Sequence, residues 1–190
     1  KLPKNPSLWI VDGFLPLGFT TCYAKPKAGK SFLMVSIIES IVNGDDEWQG
    51  FPISQHGNCL YLQIDTPREL WTSLYMEPMN IANRKHELYT ADMWTVPSYP
   101  FNLLGNEKNA TLWDRDNKPI SDPQWLENEI KRTNPLLIVV DTLREAHNED
   151  EDKSGAMKLV LSALQKAAGQ GRAVAIVSHA KKDSQWTTNS

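Results

Sequence analysis

The sequence predicts an α/β fold, a mostly parallel sheet flanked by helices. Three observations predict it. Short apolar runs of strand character recur at 19–23, 58–64, 136–140 and 173–177. Segments with helical spacing of apolar residues lie between them, notably 32–42 and 156–168. The two kinds of segment alternate, which is the pattern of parallel strands joined by helical crossovers. At 190 residues, the chain is long enough for one such domain with a sizeable core.

Residues 1–18 read as a polar, Pro-rich lead-in with one apolar cluster at Leu8 to Val11. The main domain is expected to span 19–182, and 183–190 reads as a mobile polar tail. Within the domain, Phe19 to Tyr23 is β-rich and predicts the first strand. Ala24-Lys25-Pro26-Lys27-Ala28-Gly29-Lys30-Ser31 follows. It fits the phosphate-binding pattern G-x-x-x-x-G-K-[ST] at every fixed position but one, where Ala24 replaces the first glycine. Phe32 to Val42 carries only Ser36, Glu39 and Ser40 as polar residues, and Gly44 stops it. That predicts a buried helix with a C-terminal glycine cap.

Gly44 to Gly57 reads as a loop. Asn58 to Ile64 is apolar enough for a buried strand. Thr66-Pro67-Arg68-Glu69 matches an N-cap signature and opens a helix to about Met76. Leu88 to Ala91 reads as a short strand. Val96 to Asp122 has no clear period, and Asp114 to Asn117 reads as a hairpin tip between Leu112-Trp113 and Pro119-Ile120. Gln124 to Arg132 is a predicted helix. Leu136 to Val140 is a fully apolar strand ending in Asp141. A helix capped by Asp152 or Ser154 carries Ala156, Met157, Val160, Leu161, Leu164 and Ala168 on one face. Ala173 to Val177 is the last strand, closed by Ser178-His179.

Strand, loop and helix in that order are the context the phosphate motif requires. Residues Ala24 to Phe32, with Lys30 at the centre, are therefore the expected nucleotide-binding segment. Loop N–H groups and the helix N-terminus would cradle phosphate oxygens. Lys30 would reach the β/γ phosphates and Ser31 would hold Mg²⁺. Asp141 ends an apolar strand, where parallel sheets place their ligand-binding groups, and is expected to hold Mg²⁺ through a water while Ser31 holds it directly. Asp65 ends the strand of 58–64 and is expected to orient the attacking water, against the plainer reading of a turn residue before Thr66. His179 ends the last strand, placed to sense a γ-phosphate or simply to face solvent. The acidic run 149–152 reads as a solvated loop before a helix. Asp114 and Asp116 lack the glycine and distal glutamate of a calcium loop.

Composition narrows the partners. The net charge is −3, so any nucleic-acid contact must use a local patch such as Lys181-Lys182 or Arg144. Cys22 and Cys59 lie in predicted strands and read as two buried free thiols of a reducing cytosol. Seven tryptophans read mainly as packing residues. No apolar run is long enough to span a bilayer, no signal peptide is visible, and the chain opens on Lys1, as an excised piece of a longer protein would.

Three segments resemble the RecA-like ATPases of the RepA-type hexameric replicative helicases, with AAA, DnaB-type and KaiC-like relatives in plasmid, phage and mobile-element replication proteins. They are Ala24 to Ser31, Tyr61 to Leu70, and Asp141-Thr142-Leu143-Arg144-Glu145-Ala146-His147 with Ser154 to Met157 and Ile176 to Lys182. The resemblance implies a RecA-like P-loop core whose final strands lie beyond this chain. It implies an ATP- and Mg²⁺-dependent motor domain acting as a hexameric ring on single-stranded DNA, beside other replication proteins or a fused primase domain. A cytoplasmic setting in a bacterium, phage or plasmid host goes with it.

The same resemblance makes Lys30, Asp65 and His179 catalytic, and Ser31 and Asp141 metal-binding. Lys182, with Arg144, becomes a trans-acting or DNA contact. Asp65 falls where the family has Glu, one methylene longer. A misplacement of about 1 Å can cost ~10²-fold in rate, so a nucleotide-switched assembly or regulatory ATPase with slow turnover is the competing expectation. A recombinase-like filament ATPase and a small-metabolite phosphotransferase are the others. No arginine follows Arg172, so the trans-acting arginine of such rings is expected outside the chain.

Overall fold

The computed structural model describes residues 8–63, 66, 68–79, 85–92, 112–113, 119–120, 125–143, 161–162, 164–166, 168–169 and 171–179. Ile64, Asp65, Pro67, the hairpin tip 114–117, Arg144, the acidic run 149–152 and Lys182 lie outside these residues, as do 1–7 and 183–190.

In chain order, β1 (Trp9–Val11) and β2 (Leu15–Pro16) form an antiparallel pair. Then come β3 (Gly18–Ala24), α1 (Lys30–Asn43), β4 (Glu47–Trp48), β5 (Phe51–Pro52) and β6 (Cys59–Gln63). A short α2 (Arg68–Trp71) continues as a π-helix over Thr72–Met76, followed by β7 (Leu88–Asp92). The antiparallel pair β8 (Leu112–Trp113) and β9 (Pro119–Ile120), α3 (Trp125–Thr133), β10 (Leu137–Asp141) and β11 (Ala173–His179) complete the set. The described residues between 161 and 168 are helical.

The central sheet has five strands in the order β3–β11–β10–β6–β7, and every pairing in it is parallel. This is the α/β, RecA-like arrangement the sequence predicts. β11 lies between the strand that feeds the phosphate loop and the strand that ends in Asp141. All five predicted strand runs are present, and α1 ends at Gly44 in a left-handed cap whose N–H reaches Ser40 O and Ile41 O.

Alternation along each strand divides the core. Cys59, Tyr61, Leu137, Val139, Ala173, Ala175 and Val177 pack with Met34, Ile37, Ile38, Ile41 and Trp71 on the α1 side. Leu60, Leu62, Ile138, Val140, Val174 and Ile176 pack with Leu126, Ile130, Leu164 and Ala168 on the opposite side. Both sides of β6, β10 and most of β11 are covered, which is why these runs are largely apolar rather than alternating; the edge strand β3 is only partly covered.

Two expectations change. Residues 8–17, read as lead-in, hold β1 and β2, and Ile10, Val11 and Leu15 are buried in the α1-side core. The Leu8 to Val11 cluster was the visible trace of that packing. The stretch 44–57, read as a loop, holds the β4–β5 hairpin, whose turn residues Gln49 (φ 48°) and Gly50 (φ 82°) are both left-handed. A two-residue hairpin turn of type I′ needs that conformation at both positions. Trp48 and Phe51 from this hairpin pack on Phe14, with ring centroids 4.8 and 5.7 Å away. Cys59 is buried as expected, whereas Cys22 is only partly so. Among the described residues, no helix is long and apolar enough to cross a membrane.

Candidate functional site

The C-terminal ends of β3, β10 and β11 and the start of α1 surround a cavity of about 340 Å³. Lys27, Ala28, Gly29, Lys30, Ser31 and Phe32 line one part of it, and Thr66, Tyr75, Asp141, Thr142 and His179 the rest. The parallel sheet dictates this position, since all its strands point their C-terminal ends the same way.

The loop explains its own departure from the glycine pattern. Ala24 is the last residue of β3 and pairs with His179. It is not among the positive-φ residues, so a side chain there meets no backbone penalty. The left-handed positions fall later, at Lys27 (φ 62°) and Gly29 (φ 81°). Lys25, Pro26, Lys27 and Ala28 form the exposed turn, closed by Ala28 N–H donating to Lys25 O at 3.3 Å. Gly29 is the N-cap of α1, with no side-chain cap bond and no acidic residue in the first turn. First-turn N–H groups have no helical acceptor, so this end of α1 is left open to an anion.

Lys30, the first helical residue, is 6% exposed. Its ammonium donates to Ala24 O (3.1 Å), Lys25 O (3.0 Å) and His179 Nδ1 (3.1 Å). An ammonium only donates, so Nδ1 of His179 accepts, and the neutral ring carries its proton on Nε2. Ser31 Oγ donates to Asp141 Oδ2 at 2.6 Å. The same oxygen accepts the Tyr61 hydroxyl at 2.5 Å. Burial pushes the Tyr61 phenol well above its ordinary pKa, and the nearby Asp141 carboxylate pushes it the same way. The Cys22 thiol is also raised, chiefly by burial, with Lys30 opposing and Asp141 adding.

Phe32 is 55% exposed, and its ring meets Tyr75 at 4.7 Å. Tyr75 in turn meets Trp71 at 5.8 Å, and Trp71 meets Tyr61 at 5.2 Å. One aromatic row thus runs from the cavity wall to the Asp141 carboxylate.

The structure therefore brings together Ala24 to Phe32, Asp141 and His179. Asp65, Arg144 and Lys182 lie outside the described residues. Sequence reasoning missed Tyr61, Tyr75, Thr66 and Thr142 at this site. Tyr61 had a readable signal. It is the one hydroxyl-bearing residue in the strand Cys59–Gln63, and it shares the strand parity of Gln63, the register partner of Asp141.

Chemically, a hydroxyl and a carboxylate meeting beside an open helix N-terminus suit a phosphate group with a hard divalent cation. Among the described residues, no group of three or more His, Cys, Asp or Glu could hold a metal by itself. Mg²⁺ takes one or two protein oxygens and completes its shell with phosphate and water, and Ser31 and Asp141 carry the oxygens that would serve it here. A family model described as the AAA domain matches residues 1–185. No curated protein matches the chain.

Proposed function

This chain belongs to the AAA domain family of nucleotide-binding ATPases, and from that premise we propose that it is the motor domain of a RepA-type replicative DNA helicase. It works as a homo-oligomeric ring on single-stranded DNA and takes ATP with Mg²⁺. The observation that carries the nucleotide reading is the convergence of Lys30, Ser31, Asp141 and His179 on one cavity at the α1 N-terminus. The helicase reading is supported by the likeness of 141–147, 154–157 and 176–182 to that family.

In this reading, first-turn N–H groups and Lys30 hold the phosphates, and Ser31 with Asp141 holds the metal. The chemistry a bound Mg²⁺ supplies is neutralisation of charge on the phosphoryl oxygens. Lys30, itself buried, adds a fixed positive charge beside them. His179 contacts Lys30 and stands at the position from which loss of the terminal phosphate is sensed. Asp65 orients the attacking water. Lys182 and Arg144 reach a neighbouring subunit or the DNA.

The test is ATP hydrolysis with and without single-stranded DNA, using Lys30→Ala as control. Turnover that rises with DNA and vanishes in the control is the expected result. Tight ATP binding with no turnover and no response to DNA would replace this reading with a nucleotide-switched regulatory ATPase. The short Asp65 side chain favours that second reading. Asp65→Asn separates the roles: turnover should vanish while ATP affinity stays, and retained turnover removes Asp65 from the catalytic step.

A further inference from the structure

Tyr61 is fully buried at the middle of β6. Its backbone neighbour on β10 is Val139, yet its hydroxyl reaches past Val139 to Asp141. Phenylalanine would fill the same core volume without a polar atom. A buried hydroxyl is tolerated only where it is bonded, and here the acceptor is the carboxylate of the site rather than a backbone carbonyl. Asp141 Oδ2 takes two hydroxyl donors, Ser31 from the start of α1 and Tyr61 from β6. Two donors from different elements fix the rotation of a carboxylate that either alone would leave free to turn. The Tyr61 ring is held in turn by Trp71, itself 2% exposed.

We propose that Tyr61 is a positioning residue that sets the Asp141 carboxylate for the metal of a bound Mg²⁺–nucleotide. The inference rests on the nucleotide reading above and extends it to a residue that touches neither nucleotide nor metal. Partners of this kind, bonded to a ligand rather than to the metal, typically change metal affinity by about 10- to 100-fold when removed.

The experiment measures binding of a fluorescent ADP analogue while Mg²⁺ is titrated, and again in EDTA. It compares wild type, Tyr61→Phe and Val139→Ala, with thermal melting run on each. Tyr61→Phe keeps the ring and should fold. Its Mg²⁺ midpoint should rise about 10-fold while its affinity in EDTA stays within twofold of wild type. Val139→Ala loosens the same patch of core, so its melting temperature should fall with no shift in the Mg²⁺ midpoint. An unshifted midpoint in Tyr61→Phe, or an equal shift in Val139→Ala, overturns the proposal and leaves the nucleotide reading standing. A wild-type protein that binds no ADP at any Mg²⁺ concentration overturns both.

Discussion

The two faces of the central sheet are built from the same strands, one residue out of step, and they have different tasks. On the face away from α1, Leu60, Leu62, Ile138, Val140, Val174 and Ile176 pack in an apolar cluster with Leu126 and Ile130 of α3 and with Leu164 and Ala168. On the α1 face, the same strands carry Tyr61, Gln63 and Asp141 among their apolar residues. The polar residues gather toward the strand ends, where the start of α1 brings Lys30 and Ser31. Strand parity therefore decides which substitutions touch chemistry and which touch only packing.

The sharpest test of that division is Lys30→Ala on the α1 side. Hydrogen bonds to charged groups contribute about 1.5–3 kcal/mol each. Losing the one it would make to phosphate should weaken ATP binding about 10- to 100-fold, as calorimetry would read, and unchanged affinity would sink the site. Leu62→Ala is its counterpart on the other face. A fully buried leucine truncated to alanine costs about 2–5 kcal/mol of stability. Denaturant melts should show that loss while the ATP affinity of the folded protein stays put. A large affinity change from Leu62→Ala would break the division between the faces. Asp141→Asn comes next. It should raise the Mg²⁺ requirement for nucleotide binding about 10-fold with little effect in EDTA, and an unaltered Mg²⁺ titration would remove Asp141 from the metal.

The smallest effect is in pH. Cys59 and Tyr61, both on the α1 face, have folded-state pKa values raised by burial, against ordinary values of 9.0 and 10.0. The unfolded chain releases these protons as pH passes 9 to 10, and the folded chain holds them. Their contribution to stability is therefore full below about pH 9 and declines as pH rises above it. The melting temperature should fall between pH 8 and 10.5, and Cys59→Ala should flatten part of that fall. A melting curve indifferent to pH over that range would show that neither group is as enclosed as the structure has it.

Much of this was legible in the sequence because it rests on local chemistry. Apolar or β-rich runs marked the parallel strands. The Lys-Ala-Gly-Lys-Ser segment marked the helix start, and the position of Asp141 after Val140 placed a carboxylate at a strand end. Other features depend on pairing that the sequence pattern does not announce. Trp9 to Val11 pairs across a short turn to become core. The β4–β5 hairpin turns on Gln49-Gly50, and glutamine in the first position hides a turn that asparagine or aspartate would have announced. Tyr61 looks like an ordinary strand aromatic until the register shows Asp141 two residues beyond its partner. The AAA family match supports the broad ATPase reading, while the RepA-type helicase remains the proposal made above.

Lys30 offers a last consequence. Its three protons already have three acceptors, two carbonyls of its own loop and one nitrogen of His179. A phosphate oxygen can engage this ammonium only by displacing one of them or sharing its proton. Release from His179 leaves the two loop carbonyls bonded, so it is the exchange that disturbs the loop least. The lysine then behaves as a changeover contact: what arrives at the start of α1 is registered as a lost lysine contact at the tip of β11.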